Sequence, residues 1–181
     1  MTDLPAPAHE FDWPDRCVIG TIGQPGARTF YLQVRTGPRL VSLALEKQQS
    51  ALMAEMIDEL LDELMAQEDN PHSVPASTPA ELVDNDPLES VQEWFRVGAI
   101  GLGWDPSTAQ VIVDVHPLTD DAAEQMLQPE SEAVRVRMPV GAARAFARRT
   151  RQVVDAGRPF CSDCGQPIDP DGHDCSPPEL R

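Results

Sequence analysis

The sequence predicts an α+β fold: antiparallel sheet from two βββα units, each closed by a helix. Three observations carry this. Short runs rich in β-branched and aromatic residues are separated by Gly and Pro turn signals. Two segments switch to the 3.6-residue period of an amphipathic helix. The order of three strand-like runs followed by a helix occurs twice. A length of 181 residues suits one compact domain, expected here over residues 16–158.

Residues 1–15 are Pro-rich and acidic and read as a mobile N-terminal tail. Arg16–Ile22, Arg28–Arg35 and Arg39–Glu46 read as strands, with Gly23-Gln24-Pro25-Gly26 and Thr36-Gly37-Pro38 as the turns between them. Over 47–66, Leu52, Met53, Met56, Ile57, Leu60, Leu61, Leu64 and Met65 recur at helical spacing, and Glu55, Asp58, Glu59, Asp62 and Glu63 fill the other face. Residues 67–92 carry Pro71, Pro75, Pro79 and Pro87 and six acids without a base, which predicts a mobile acidic loop. Trp94–Trp104 and Gln110–His116 read as strands around the turn Asp105-Pro106-Ser107-Thr108. A second acidic loop is expected over 117–131, then a strand over Ala133–Met138. Gly141–Ala156 reads as a helix, stopped by Gly157 and Pro159. Ile19-Gly20-Thr21-Ile22-Gly23 parallels Val97-Gly98-Ala99-Ile100-Gly101, each in the first strand of its half, which suggests an internal duplication.

Net charge is −16, with 14 basic and 30 acidic residues. Such a surface repels nucleic-acid phosphates and anionic lipid, which argues against non-specific nucleic-acid binding and membrane association. Mean hydropathy is −0.33, and no apolar run approaches the ~20 residues of a membrane span. Residues 1–14 have no basic segment of the kind that opens an export signal. A cytoplasmic location is therefore expected.

The charge is not uniform. Residues 1–134 carry net −18, 135–158 carry net +6 and 159–181 carry net −4. The basic block holds Arg135, Arg137, Arg144, Arg148, Arg149, Arg151 and Arg158. On the second helix Arg144, Arg148 and Arg151 share one stripe, opposite Ala142, Phe146 and Val153. The stripe is either a docking face for an acidic protein or phosphate, or an internal partner for the acidic face of the first helix or an acidic loop.

The tail, 159–181, contains Cys161, Cys164, His173 and Cys175 in the spacing C-x2-C-x8-H-x-C. Two thiolates three residues apart, with Gly165 directly after, fit a chain turning around a metal. Asp169-Pro170-Asp171-Gly172 reads as a turn that brings His173 and Cys175 back. Three thiolates and an imidazole match a closed structural zinc site, a zinc knuckle, and their softness excludes calcium and magnesium. Asp174 or Asp171 could stand in for His173, and surface thiols or a redox pair are the other readings of the cysteines. Cys17 reads as a buried apolar residue. His9, His72 and His116 pair with nothing in sequence. Gly20-x-x-Gly23-x-x-Gly26 joins two strands rather than opening a helix, so it is no dinucleotide fingerprint. The catalytic residues are unknown from sequence.

Four motifs together resemble a known family. They are Asp15–Gln33, Ala44–Gln49, Phe95-Arg96-Val97-Gly98 with Leu102-x-Trp104-Asp105, and Ala145-Phe146-Ala147 running through Ala156-Gly157-Arg158-Pro159 into the cysteine tail. From about Phe11 to Cys175 the chain resembles the actinobacterial domain-of-unknown-function 3090 family. The resemblance implies a cytosolic protein with no assigned activity. Cys17 departs from the family's usual aromatic, and Ser162 and Ser176 from its common prolines.

The expected function is a cytosolic zinc-binding protein, non-enzymatic, that contacts a protein partner through the arginine helix 141–156 and the zinc knuckle. The alternative is an enzyme acting on a small anionic or phosphoester substrate, with Arg28, Arg96 or the helix arginines as anion clamp.

Overall fold

Alternation of apolar residues sets the strands, and turn residues set their ends. The computed structural model describes residues 9–24, 26–119, 133–156, 161–164 and 175. In chain order the elements are β1 (His9–Asp12), β2 (Arg16–Ile22), β3 (Thr29–Thr36), β4 (Arg39–Leu45) and α1 (Lys47–Met65). A single 3-10 turn, Ala80–Leu82, interrupts the long loop. Then come β5 (Glu93–Asp105), β6 (Gln110–Pro117), β7 (Val134–Pro139) and α2 (Val140–Asp155). The fold is α+β, as the periodicities predicted.

The strands form one seven-stranded sheet in the order β1-β7-β6-β5-β4-β3-β2. It is mixed rather than antiparallel, which corrects the expectation: β1 pairs with β7 in parallel, and β4 pairs with β5 in parallel. The long connection through α1 makes the second pairing possible, because parallel neighbours need a crossover of a dozen or more residues. The first pairing takes residues 9–12 out of the expected tail. Phe11 is only 1% exposed, so this short strand carries a core residue.

One face of the sheet carries the helices. Ile19, Leu32, Val34 and Leu43 are buried in one cluster with Met53, Ile57 and Leu61 of α1 and Phe146 of α2. Val111, Val113, Val115, Val134, Val136 and Met138 extend it through β6 and β7. Small residues are buried on both helices, Ser50 and Ala54 on α1 and Ala143 and Ala147 on α2, and let the two pack closely. Leu52, placed by periodicity on the apolar stripe, is instead 56% exposed, because Ser50 and Ala54 occupy the buried side. At the start of α1 the Glu46 amide donates to Gln49 Oε1 at 2.8 Å. Gln49 Nε2 in turn donates to the Val97 and Gly98 carbonyls at 3.1 and 3.0 Å, which anchors the helix on the irregular part of β5.

The 67–92 loop, expected to be mobile, lies as an anchored strap. Arg16, Gly20, Gln33, Arg35 and Ser42 project to the face opposite the helix-side residues Ile19, Leu32 and Leu43. Arg16 donates to both Asp84 carboxylate oxygens at 2.6 and 3.2 Å and to the Asp86 and Pro87 carbonyls at 2.8 and 2.9 Å. The buried Gln33 amide pairs both ways with the Glu89 backbone, at 3.0 and 2.9 Å. Arg35 reaches the Glu89 carboxylate at 3.1 Å. The chain from β4 to β5 therefore follows α1, rounds the free edge at β2 and returns beneath β2–β4. An acidic segment becomes ordered because the strands beneath it present arginines.

The two matched glycines serve different ends. A Cβ on Gly20 would lie 2.6 Å from the Leu88 side chain of the strap, whereas a Cβ on Gly98 would lie 2.9 Å from the Pro117–Leu118 backbone. Close approach demands glycine at both, but a side chain causes it in one and a backbone in the other.

Candidate metal centre

The three cysteines of the tail come together. The Sγ atoms of Cys161, Cys164 and Cys175 all lie within 4.8 Å of one another. Cys161 and Cys175 stand 3.7 Å apart. Thiolates held about 2.3 Å from a tetrahedral zinc ion stand about 3.8 Å apart, whereas a disulfide needs about 2.05 Å. The three are close enough together to hold a metal ion, Cys161 and Cys175 are too far apart for a bond, and none of the three forms a disulfide.

The local chain supports this chemistry. The turn at 162–164 directs backbone N–H groups at sulfur: Asp163 N donates to Cys161 Sγ at 3.4 Å. Hydrogen bonds from the Cys164 and Asp163 amides draw the Cys161 thiol down to about 7. The hydrogen bond with Cys161 pushes Cys175 up to about 12, with burial adding to it. Adjacent thiolates repel, so a cation is what would let all three ionise together. Cys161 and Cys164 are half-buried and Cys175 is exposed, so the cluster sits at the surface. His173, Asp171 and Asp174, the expected candidates for the fourth ligand, lie outside the described residues.

The basic block is largely consumed inside the fold. Arg144 is buried, 7% exposed at the side chain, between Asp58 at 2.9 Å and Asp62 at 2.6 Å, and donates to the Pro75 carbonyl at 3.1 Å. Arg151 meets Asp58 from the other side at 3.0 Å. Arg148 is exposed and has no ion pair among the described residues. The stripe is thus split: Arg144 and Arg151 bind the acidic face of α1, and Arg148 faces solvent. On β7, Arg135 pairs with Asp114 at 2.7 Å, and Arg137 bridges Glu10 at 2.8 Å and Asp105 at 3.0 Å. Arg158 lies outside the described residues.

Arg149, one of the helix arginines, lies off the stripe of Arg144, Arg148 and Arg151 that the sequence singled out. It is buried, donating to the Ile19 carbonyl at 3.0 Å and to the Asp84 carbonyl. Periodicity held the signal, since position 149 shares the apolar side of α2 with Ala142, Phe146 and Val153. With Arg16 and Asp84 it lines a cleft of about 650 Å³ between α2, the β1–β2 turn and the strap. Cys17 also lines it, as a thiol that burial pushes up to about 12. Arg28 and Arg96, the other proposed anion-clamp residues, lie elsewhere: Arg28 donates to the Val153 carbonyl at 3.2 Å, and Arg96 pairs with Glu46 at 2.6 Å.

Among the described residues, no helix is long and apolar enough to cross a membrane. A family model described as a protein of unknown function, DUF3090, matches residues 9–175. No curated protein and no solved structure matches the chain.

Proposed function

Because the chain belongs to the DUF3090 family, whose description assigns no activity, we propose from its own residues that it is a zinc-binding, non-enzymatic binding module of the cytosol. The observation that carries the reading is the convergence of Cys161, Cys164 and Cys175 to mutual distances within 4.8 Å. Zinc is the ion these soft ligands favour, and His173 is the fourth ligand we assign, closing the site so that no position remains for an activated water. The metal's role is structural: it ties a short segment too small to bury a core of its own. The contact surface for a protein partner is the neighbourhood of exposed Arg148 and the partly exposed Arg151, together with the metal segment.

The non-enzymatic reading is favoured over the anion-clamp enzyme by the character of the cleft. It unites arginines and Asp84, but no histidine is among its described lining residues. Its cysteine is held as a thiol, and a nucleophile needs a base within reach.

Metal analysis of the purified full chain tests the zinc reading. One zinc per chain is expected, falling below one tenth in Cys164→Ser and weakening in His173→Ala. Absence of zinc from protein purified without chelator and refolded with zinc would sink it. For the contact surface, Arg148→Glu with Arg151→Glu should abolish recovery of a co-purifying protein. Unchanged recovery refutes that surface and leaves the metal assignment to its own assay.

A further inference from the structure

The cleft of about 650 Å³ falls in the usual range of small-molecule sites, about 300–1,000 Å³. Its floor is apolar, built from Met138, Ala142, Ala145 and Phe146. Two features of its walls suit a ligand.

The first is Arg149. Its side chain is 8% exposed. Nε and Nη1 are taken by the Ile19 and Asp84 carbonyls, while Nη2 has no hydrogen-bond partner among the described residues. Nη2 is not among the buried atoms that lack a partner, so it stays in contact with solvent and is free to donate to an acceptor on a ligand. The second is Trp13. Its φ of 52° lies in the left-handed region that bulky residues rarely adopt. The Arg137 carbonyl accepts its N–H at 2.9 Å and helps hold it there. The outcome is an indole that is 67% exposed beside the cleft. Strain that displays a large ring instead of burying it is characteristic of a binding edge.

Charge then selects the ligand. Asp84 is engaged by Arg16 and Arg149. Glu81 and Asp86 also line the cleft and have no ion pair among the described residues. A simple anion would meet the carboxylates of Asp15, Glu81, Asp84 and Asp86 against only two guanidiniums. A simple cation would meet the Arg16 and Arg149 guanidiniums and make no use of the free Arg149 donor. A zwitterion satisfies both.

We propose that this cleft binds a free amino acid with an apolar or aromatic side chain. Its carboxylate accepts from Arg149 Nη2, its ammonium group faces Asp86 and Glu81, and its side chain lies over the apolar floor against Trp13. The site is independent of the cysteine cluster and makes no demand on zinc.

Ligand-observed saturation-transfer NMR on the full chain tests this with three probes: phenylalanine, phenylpropionate and phenethylamine. Phenylalanine should bind with millimolar or better affinity, and the other two at least tenfold more weakly. Trp13→Ala should weaken phenylalanine at least tenfold, and Ala142→Leu, which fills the floor, should abolish its signal. Trp94→Ala, another exposed tryptophan that does not line the cleft, should leave binding unchanged. Arg149→Lys keeps the charge, loses Nη2 and should weaken binding at least tenfold; if that variant misfolds, the Trp13 and Ala142 variants still decide. No phenylalanine signal at about 10 mM, the weak limit of specific recognition, overturns the proposal. So does equal binding of the lone acid or lone amine, or binding that survives both Trp13→Ala and Ala142→Leu.

Discussion

Replacing Arg144 by methionine removes its hydrogen bonds to three residues, Asp58, Asp62 and Pro75, while keeping its aliphatic stem. The bond to Asp62 counts for little, because that carboxylate is 62% exposed and rehydrates. Asp58 is only 20% exposed, but it keeps Arg151 at 3.0 Å and is not left uncompensated. Its charge-assisted bond and the donor lost from the Pro75 carbonyl contribute most of the cost, about 2–3 kcal/mol together. In urea titration followed by circular dichroism, with a slope of about 2 kcal/mol per M, the midpoint should fall by about 1 M at unchanged slope. Arg148→Met, at the exposed position of the same stripe, should stay within about 0.5 kcal/mol of wild type. A double-mutant cycle with Asp58→Asn should return about 1 kcal/mol of coupling. An Arg144→Met loss under about 0.5 kcal/mol, or one equal to Arg148→Met, would refute the reasoning that the basic block serves the fold from within.

Three further outcomes follow from the same geometry. Hydrogen bonds from Ser107, with Arg137 adding to them, hold Asp105 at about 2 against its ordinary 3.8. Burial is the largest single influence on Asp84 and opposes its ionisation, but the Arg16 and Asp86 hydrogen bonds and the charges of Arg16 and Arg149 together outweigh it, so its value is also lowered. A depressed folded value means stability that is complete above the unfolded value and is lost as pH falls through the folded one. Asp105→Asn should therefore be less stable than wild type at pH 7, with the gap closing between about 4 and about 2 in acid-unfolding curves. Gly20→Val should displace Leu88 and speed proteolysis within 67–92, and Leu88→Ala in the same chain should restore protection; unaltered cleavage in Gly20→Val would show that the strap is not seated there. Cys164→Ser should lose zinc yet leave the stability of the α+β body in urea within about 0.5 kcal/mol of wild type, and a large shift would mean the metal segment braces the sheet.

Helix α1 and the strand runs of the body were legible because each is a local pattern. Apolar residues at Met53, Ile57, Leu61 and Leu64 repeat with the period of the element that buries them. The β1 strand was not legible, since His9-Glu10-Phe11-Asp12 offers one apolar residue and no alternation. Its strand character comes from β7, more than 120 residues away. The strap was misread for a related reason. Its composition is that of a solvated loop, and the arginines and glutamine that order it belong to β2 and β3.

The cysteine spacing divides the same way. Cys161 and Cys164 announce a turn around a metal by themselves, and only the folded chain shows Cys175 within reach of both. Charge divides most sharply. Sequence alone established a basic block of net +6 inside an acidic chain. Tertiary structure decided that Arg144, Arg149 and Arg151 turn toward Asp58, Asp62 and Asp84. A side chain's residue type and its face on a helix are local properties, written in periodicity. Which charge it meets depends on how distant elements pack, and burial at that packed site makes the pairing matter.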